Sequence, residues 1–256
     1  MIRLDTCGLA ARMRTIESIA VIPRVASTNL IARRVLDECV ENELCVPQVM
    51  IIAGEQYAGR GRNARNWSSP AGKGIYATTI LSRPVAELPL VPMAMANIVA
   101  SYLGDVFAID ARVKWPNDIL VGGRKIAGIL IEARVQEERT HLLIGIGINV
   151  ESASDQSRPN SVSIRDVTSR TFGGIAHATE AFVEHFDERI SRPLERDPVL
   201  DEWRGRCVHK SGDRITCVIG ERTVNGTWGG IDEHGRALLR NGEEVLVVAA
   251  GDLFVS

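Results

Sequence analysis

The sequence has few cysteines, and their arrangement excludes two classes of small stabilised protein. Five cysteines occur among 256 residues, an odd number without any Cys-x-x-Cys spacing. A scattered, odd set argues against a disulfide framework, and the missing paired spacing argues against a structural zinc site. The five histidines are equally dispersed and form no His-Glu-x-x-His pattern, so the zinc chemistry of metalloproteases is not expected either.

The sequence also lacks a strong charge bias and a membrane-length apolar run. The formal net charge is −2, with 24% charged and 45% hydrophobic residues, which suits an ordinary globular core and gives no general attraction to nucleic acid. The longest apolar stretch, Leu88 to Leu103, contains two prolines and Asn97 and falls short of the ~20 residues that span a bilayer. The N-terminus has no continuous apolar segment, so we expect a soluble, cytoplasmic protein without a membrane partner.

Hydrophobic periodicity predicts alternating helices and strands up to about residue 209. Ser27-Thr28-Asn29 is typical of a helix start, because these side chains can cap backbone N–H groups, and an amphipathic stripe follows from Ala32 to Val40. No element is predicted for residues 1–26. We further predict strands at 49–53, 75–81, 111–115, 119–121, 125–133 and 141–150, a helix at 90–103, loops at 54–74 and 151–173, and helices within 175–209 that are broken by Pro193 and Pro198.

The composition changes near Ser211, where short β-rich runs separated by glycine-containing turns begin. These runs, at 214–219, 224–231, 236–239 and 244–249, are typical of a small barrel. We therefore expect two domains, 1–209 and 210–256.

Glycines and arginines alternate in the loop at Gly59-Arg60-Gly61-Arg62, and Arg65 follows. Glycine lets backbone N–H groups approach an anion closely, and arginine offers planar, bidentate donors for phosphate or carboxylate. Together they suit a site that holds two anions near each other. The alternative is a solvated or RNA-binding Arg-Gly segment, which would be accompanied by repeats and a basic protein; neither is present.

A second polar motif, Lys114-Trp-Pro-Asn-Asp118, lies where a predicted strand ends and a hairpin begins. Asn117 and Asp118 offer the oxygen atoms that Mg²⁺ uses together with substrate phosphates, but taken in isolation the motif is better explained as a plain Pro-Asn-Asp turn. The two-residue turn Gly122-Gly123 can bring Lys125 back to the same end of the sheet. A lysine there could neutralise developing phosphate charge, or it could be a solvated edge lysine.

A third motif, Gly145-Ile-Gly-Ile-Asn149, ends a predicted buried strand. Its glycines could admit a flat ring, and Asn149 could read the edge of that ring. The alternative is a packed strand with a capping asparagine.

The order of these motifs, together with Arg124-Lys125-Ile-Ala-Gly128, closely resembles the catalytic domain of biotin–protein ligases over residues 25–150, and more weakly through the terminal barrel. The resemblance implies an α/β (α+β) fold with a mixed β-sheet and flanking helices, followed by a small SH3-like β-barrel. It also implies an ATP-dependent ligase that forms biotinyl-5′-AMP and transfers biotin to a lysine of a biotin carboxyl carrier protein or domain. Neither step needs an enzyme nucleophile, which agrees with the lack of a recognisable Cys–His or Ser–His pair.

The same resemblance implies roles for individual residues. Arg62, Lys114 and Lys125 would be catalytic, and Asp118 would bind Mg²⁺. Biotin would be bound by Ser27, Thr28, Asn29, Gln56, Gly59, Arg60, Gly61, Arg62, Lys125 and Gly128. ATP would be bound by Arg60, Arg62, Arg65, Trp67, Lys114, Asn117 and Asn149.

Two departures from the family pattern matter. Ala64 stands where members often have glycine, which puts the local geometry of the loop in question. Only 26 residues precede Ser27, too few for a winged-helix domain, so we expect no DNA binding and no repressor function. The open alternatives are a lipoate or octanoate ligase or transferase, a non-catalytic biotin sensor and an RNA-binding module. The sequence identifies neither the acceptor protein nor whether the chain is a monomer or a homodimer.

Overall fold

A computed structural model describes residues 4–63, 65–152 and 160–255. Ala64, the departure noted above, lies outside the described residues. The first part of the chain contains, in order, α1 (Thr6–Ala10), β1 (Ser18–Ile22), α2 (Thr28–Glu41), β2 (Val49–Ala53), β3 (Gly74–Pro84), a 3₁₀ helix (Val85–Leu90), α3 (Val91–Phe107), β4 (Arg112–Lys114), β5 (Asp118–Val121), β6 (Arg124–Gln136) and β7 (Arg139–Asn149). Three helices follow: α4 (Ile164–Val167), α5 (Gly174–Ile190) and α6 (Arg196–Arg206).

The first seven strands form one mixed sheet in the order β1-β2-β3-β7-β6-β5-β4. β1 pairs parallel to β2, whereas the other neighbours pair antiparallel. The predicted glycine turn joins β5 to β6: Gly122 and Gly123 have φ values of 56° and 79°. Two successive positive φ angles are what a tight hairpin turn requires, and glycine adopts them without a Cβ clash.

Alternating side chains of this sheet pack against helices on its two faces. On one face, Ala32 and Leu36 of α2 pack with Ile51, Ile80 and Leu143. The residues beside Ile51, Met50 and Ile52, belong instead to the main core with α3, α5 and α6. The sheet is therefore the middle of three layers, and its neighbouring strands β3 and β7 are each buried at eight of eleven positions.

One helical segment is long and apolar enough to cross a membrane by length and composition, although the sequence predicted no apolar run of that length. It runs from Val85 to Phe107 with a mean hydropathy of 1.4, and 78% of its most apolar window is buried inside the fold. That burial places the segment as a core helix, packed against α5 and α6.

The remaining strands form a second, antiparallel sheet in the order β11-β10-β9-β8-β12. They are β8 (Arg214–Ile219), β9 (Arg222–Ile231), β10 (Ala237–Asn241), β11 (Glu244–Val248) and β12 (Asp252–Val255). Core residues of this sheet, such as Trp228 and Leu253, pack in the same cluster as the first sheet. Trp115 Nε1 also donates to Gly235 O at 3.0 Å across the junction. The division at residue 209 remains a prediction.

Several predicted elements differ from the observed ones. α1, β1, α4 and β12 were not predicted. The break predicted at Pro198 is wrong, because Pro198 lies in the first turn of α6, where a backbone N–H would have no intrahelical acceptor anyway. Ser27 does precede α2, but its side chain makes no capping hydrogen bond. The neighbouring Thr28 and Asn29 direct their side chains to a buried polar network instead.

Candidate active site

A cavity of about 150 Å³ opens between the arginine loop, defined here as residues 54–73, and the first sheet. Its walls come from the start of α2, the arginine loop, the β4–β5 turn, the glycines of β6 and β7, and the start of β12. Of the residues predicted for a site, the cavity brings together Ser27, Thr28, Asn29, Gln56, Arg60, Gly61, Arg62, Arg65, Trp67, Asn117, Asp118, Lys125 and Gly128. Residues distant in sequence are thus neighbours in space.

A chain of buried polar groups forms the wall beside α2. Thr78 Oγ1 lies 2.7 Å from Thr28 Oγ1 and 2.8 Å from Asn29 Oδ1. Since a carbonyl oxygen only accepts, the single hydroxyl hydrogen of Thr78 goes to Asn29. Asn29 is thereby oriented with Nδ2 on the side of Glu132 Oε1, 3.4 Å away. The chain holds the first residues of α2 in one arrangement.

Gln56 connects this network to the arginine loop. Its Oε1 accepts from Thr28 N at 2.8 Å, and its Nε2 donates to Ser69 Oγ at 2.8 Å. Ser69 Oγ in turn donates to Trp67 O at 3.2 Å. A single amide side chain therefore couples the loop to α2, and its loss would leave buried polar groups unpaired, which is costly.

Two glycines of β6 and β7 make room for the ring of Trp67. A Cβ on Gly147 would lie 2.4 Å from Trp67 Nε1, and one on Gly128 would lie 3.0 Å from Trp67 Cζ3. The sequence predicted that Gly145 and Gly147 admit a flat ring; at Gly147 that space holds the protein's own indole, whereas Gly145 faces Asn29. Trp67 Nε1 is buried and has no hydrogen-bond partner among the described residues.

A third glycine serves the polar network. A Cβ on Gly145 would lie 2.2 Å from Asn29 Oδ1. Gly145 and Gly147 are two residues apart on β7, about 7 Å along the strand. The polar network and the indole therefore occupy successive positions along the cavity floor.

Charged groups face the cavity from the hairpin. Lys125 Nζ lies 2.5 Å from Asp118 Oδ1. The exposed fractions of the two side chains are 33% and 27%. The same ammonium lies 5.2 Å from the centre of the Trp67 ring, within cation–π range. The Gly122-Gly123 turn produces this arrangement, because β5 and β6 run antiparallel from it. An anion entering the cavity would meet a cation already held in place.

Arginines of the loop supply further positive charge. Arg62 Nη1 donates to Asn117 Oδ1 at 3.3 Å, which links the loop to the Lys114–Asp118 motif. Arg60 is exposed, and its guanidinium has no partner within the described parts of the chain. The N–H of Gly61 donates to Arg65 O at 2.7 Å, so this amide closes a turn inside the loop.

Three residues predicted for the site do not line the cavity. Gly59 is part of the arginine loop but does not line the cavity; a Cβ there would be 2.3 Å from Trp67 O. Lys114 Nζ lies over the Phe254 ring, 5.5 Å from its centre. Asn149 Nδ2 donates to Val162 O at 3.1 Å and so joins the end of β7 to the segment before α4.

The site includes residues that the sequence did not indicate. Thr78 belongs to the polar network that holds Thr28 and Asn29, and Asp252 lines the cavity from β12. A signal existed for Thr78, since it is one of two adjacent threonines in an otherwise apolar run. No local signal marks Asp252. Among residues 4–63, 65–152 and 160–255, no group of three or more His, Cys, Asp or Glu side chains could hold a metal ion.

The chain is similar to known proteins over most of its length. The model of the biotin/lipoate A/B protein ligase family matches residues 21–149. The bifunctional ligase/repressor BirA of Bacillus spizizenii is 30% identical over 218 residues, which cover 80% of this chain and 65% of that protein. The chain thus spans a little less than two thirds of that relative. The biotin–[acetyl-CoA-carboxylase] ligase of Paracoccus denitrificans is 31% identical over 216 residues, covering 80% of this chain and 89% of that protein.

A solved structure supports the fold. The biotin protein ligase from Aquifex aeolicus, in complex with biotin and ATP, superposes with a TM-score of 0.73 and 22% identity, covering 93% of this chain and 99% of that one. The predicted fold class, α/β (α+β) with a mixed β-sheet and flanking helices followed by a small SH3-like β-barrel, is confirmed. The family model and the Paracoccus relative show that the chain belongs to the biotin/lipoate A/B protein ligase family.

Proposed function

We propose that this protein activates biotin with ATP to form biotinyl-5′-AMP and transfers the biotin to a lysine of a biotin carboxyl carrier protein. The observation that carries the proposal is the cavity. It joins an uncharged hydrogen-bonding wall at Thr28, Asn29 and Gln56 to a cationic wall at Lys125 and Arg62. A substrate with a polar ring at one end and a carboxylate at the other suits that division. The relatives' names point to the same chemistry.

In the proposed first step, a biotin carboxylate oxygen attacks the α-phosphorus of ATP. A new P–O bond forms, the bond to the bridging oxygen breaks, and pyrophosphate leaves. Negative charge builds on the phosphoryl oxygens, and a preorganised cation stabilises it most effectively. We assign that role to Lys125, with Arg60 and Arg62 holding the carboxylate and phosphate and the Trp67 ring beside the nucleotide base. Lys114, Arg65, Asn117 and Asn149 remain predicted contributors to the nucleotide site, and Ser27, Gly59, Gly61 and Gly128 to the biotin site.

In the second step, the acceptor lysine amine attacks the carbonyl carbon of the mixed anhydride. A C–N bond forms, the C–O bond to AMP breaks, and the ammonium proton is lost to solvent. The protein holds the two partners in position, a contribution that can account for much of the barrier reduction.

We infer that Mg²⁺ enters with the nucleotide phosphates and not into a preformed cage. The cavity presents two carboxylates, and each is already ion-paired: Asp118 with Lys125 and Asp252 with Arg65. Mg²⁺ is commonly held by one or two carboxylates together with substrate phosphates and water. Asp118, in the Lys114–Asp118 motif, is the ligand that we propose.

The test of Asp118 separates a metal role from a structural one. In Asp118→Ala, binding of biotin alone should stay close to that of the parent, whereas binding of an ATP analogue with Mg²⁺ should weaken. Calorimetry measures both, and Asp110→Ala, which removes an exposed aspartate paired with Arg112, is the control. An equal loss of affinity for biotin and for the ATP analogue with Mg²⁺ would show that Asp118 only orients Lys125.

The decisive experiment for the proposed function is transfer of labelled biotin to a carrier domain in the presence of ATP and Mg²⁺. Lipoate run in parallel separates the two substrate classes that the family model covers. Pyrophosphate release without acceptor separates an enzyme from a biotin sensor. Activation of lipoate but not of biotin would overturn the biotin assignment. The cytoplasmic location remains a prediction, and the choice between monomer and homodimer stays open.

A further inference from the structure

The arginine loop meets the last strand of the chain, although some 190 residues separate them. Arg62 Nη1 donates to Gly251 O at 3.3 Å. Asn63 Nδ2 donates to Asp252 Oδ2 at 3.3 Å, and Arg65 Nη2 lies 2.5 Å from the same carboxylate oxygen. Three polar side chains of the arginine loop, Arg62, Asn63 and Arg65, thus converge on Gly251 and on Asp252, the first residue of β12.

The carboxylate is the anchored end of this contact. The side chain of Asp252 is 16% exposed, whereas that of Arg65 is 64% exposed. Asp252 is also paired in register with Val218 of β8, so its backbone belongs to a sheet. The tip of the arginine loop has no such support, since no residue from 60 to 66 that the structure describes is buried. A fixed acceptor therefore holds an otherwise exposed cationic loop.

Hydrogen bonds within the loop couple Arg65 to Arg62. Gly61 N donates to Arg65 O at 2.7 Å, and Arg65 N donates to Arg62 O at 3.0 Å. These two bonds close the loop tip into a compact turn. Fixing Arg65 therefore also restricts Arg62, whose guanidinium reaches Asn117 beside the cavity.

We propose that Asp252 is a positioning residue that holds the arginine loop over the cavity before any substrate binds. It acts through Arg65 and Asn63 and touches no reacting atom. Ordering a flexible loop on binding has an entropic cost, and a loop that is already held loses less. The catalytic consequence rests on the proposed function. Because Arg62 is already near the position in which it contacts the anionic substrates, these bind more tightly than they would to a freely moving loop, and less of the activated intermediate escapes.

The held loop can be tested in the free protein with trypsin, which cleaves after arginine. In Asp252→Asn, ligand-free cleavage after Arg60, Arg62 and Arg65 should be faster by roughly two- to fivefold, the range expected when a partly exposed ion pair is lost. Asp252→Glu should restore much of the resistance. Asp232→Asn is the matched control, because it removes another aspartate–arginine pair, with Arg236 at 2.6 Å, from the turn between β9 and β10, and should leave loop cleavage unchanged.

A second variant keeps the proposal falsifiable if Asp252→Asn is poorly folded. Arg65→Gln removes the same pair from the loop side and should speed cleavage after Arg60 and Arg62 to a similar extent. In the double variant, trypsin should cleave the loop no faster than in either single variant. Parental cleavage rates in Arg65→Gln, or fully additive effects in the double variant, would overturn the proposal.

Activity provides a separate readout. In Asp252→Asn, the KM for ATP should rise and release of activated biotin without acceptor should increase, while kcat for the first step changes little. A global structural defect would instead lower the amount of active enzyme and leave KM unchanged. If the trypsin result holds but no biotin is activated by any variant or by the parent, the proposed function fails and the positioning role stands.

Discussion

At the scale of single residues, the candidate site depends on side chains whose partners are distant in the sequence. Lys125 is held by Asp118 at 2.5 Å and lies above the Trp67 ring. Thr78 is fully buried and orients Asn29 and Thr28. Thr78 contributes by fixing the positions of its neighbours. Lys125 contributes because an ammonium fixed beside a cavity stabilises developing charge better than a freely rotating one.

Replacement of Lys125 should mainly impair adenylate formation. Loss of one preorganised donor of this kind typically costs ~10²–10³ in rate, so we expect Lys125→Ala to lower pyrophosphate release by about that factor. The transfer of biotin from added biotinyl-5′-AMP should change much less. Arg124→Ala removes an exposed cation from the adjacent position of β6 and serves as control. Normal pyrophosphate release in Lys125→Ala would exclude the role.

At the scale of elements, the ends of helices are determined by backbone conformation as much as by side-chain pattern. α3 ends at Ala108, which adopts a left-handed conformation with φ 56° and ψ 37°. Ala108 N donates to Gly104 O at 2.9 Å, and Ile109 N donates to Leu103 O at 3.1 Å. This is the hydrogen-bonded end that glycine usually forms, because a Cβ disfavours the left-handed region.

Ala108→Gly should therefore stabilise the protein. The left-handed conformation costs a residue with a Cβ about 1–2 kcal/mol, and the greater freedom of glycine in the unfolded chain offsets part of that gain. We expect a net increase of about 1 kcal/mol in the free energy of unfolding, measured by urea denaturation. Ala108→Val should shift the midpoint in the opposite direction, because a β-branched residue tolerates this conformation poorly.

A second element-scale contact attaches the segment before β1 to α5. Asp187 of α5 is 2% exposed, and its carboxylate accepts from the backbone N–H groups of Arg14, Thr15 and Ile16 at 2.6, 2.9 and 2.8 Å. A carboxylate can accept several N–H groups at once, whereas a carboxamide brings N–H donors of its own.

Asp187→Asn should be strongly destabilising, by roughly 3 kcal/mol, because buried backbone donors would lose a charged acceptor. Urea denaturation gives the size of the effect. Asp37→Asn breaks an ion pair with Arg134 in which 44% and 42% of the two side chains are exposed, and should cost less than about 1 kcal/mol. Equal losses in the two variants would show that the Asp187 contact adds nothing beyond a surface pair.

At the scale of the whole molecule, the two sheets share a core and meet around the end of α6. Val208 N donates to Val113 O at 2.9 Å, which joins this segment to β4. His209 follows, 5% exposed, with its ring 4.8 Å from that of Trp228 in β9. Neither ring nitrogen has a hydrogen-bond partner in the described part of the chain. Burial, and then the charge of Lys114, lower the pKa of His209 to about 4, although Asp213 opposes the shift.

Stability should therefore decrease on acidification through this histidine. Its ordinary pKa is about 6.5, so between pH 6.5 and 4 the unfolded chain binds a proton that the folded protein excludes, and the free energy of unfolding falls as pH falls. The full contribution is up to about 3 kcal/mol. His209→Phe keeps a ring against Trp228 and should flatten the pH dependence between those values. Exposed His177→Phe is the control, and an unchanged slope in His209→Phe would refute the assignment.

Local sequence patterns determined much of the fold. α2, β2, β3, β7 and the β5–β6 hairpin follow from apolar spacing and from the Gly122-Gly123 turn, since these signals involve residues close in the chain. The arginine loop and the Lys114–Asp118 motif are also local in sequence, and their order along the chain, rather than either motif alone, carried the resemblance to the family. The motifs were therefore sufficient to predict the family and the fold class, both confirmed.

The tertiary structure decided what depends on contacts between distant segments. β1 was not recognised because its position is set by parallel pairing with β2 across the intervening helix α2. Lys114 and Asn149 carry the right chemistry for a nucleotide site, yet packing turns their side chains to Phe254 and to Val162 O. Thr78 contacts Thr28 and Asn29 only because β3 packs against α2. Asp252 reaches the cavity only because β12 returns to the arginine loop. Side-chain type is local, but which groups face one cavity is a property of the whole packed chain.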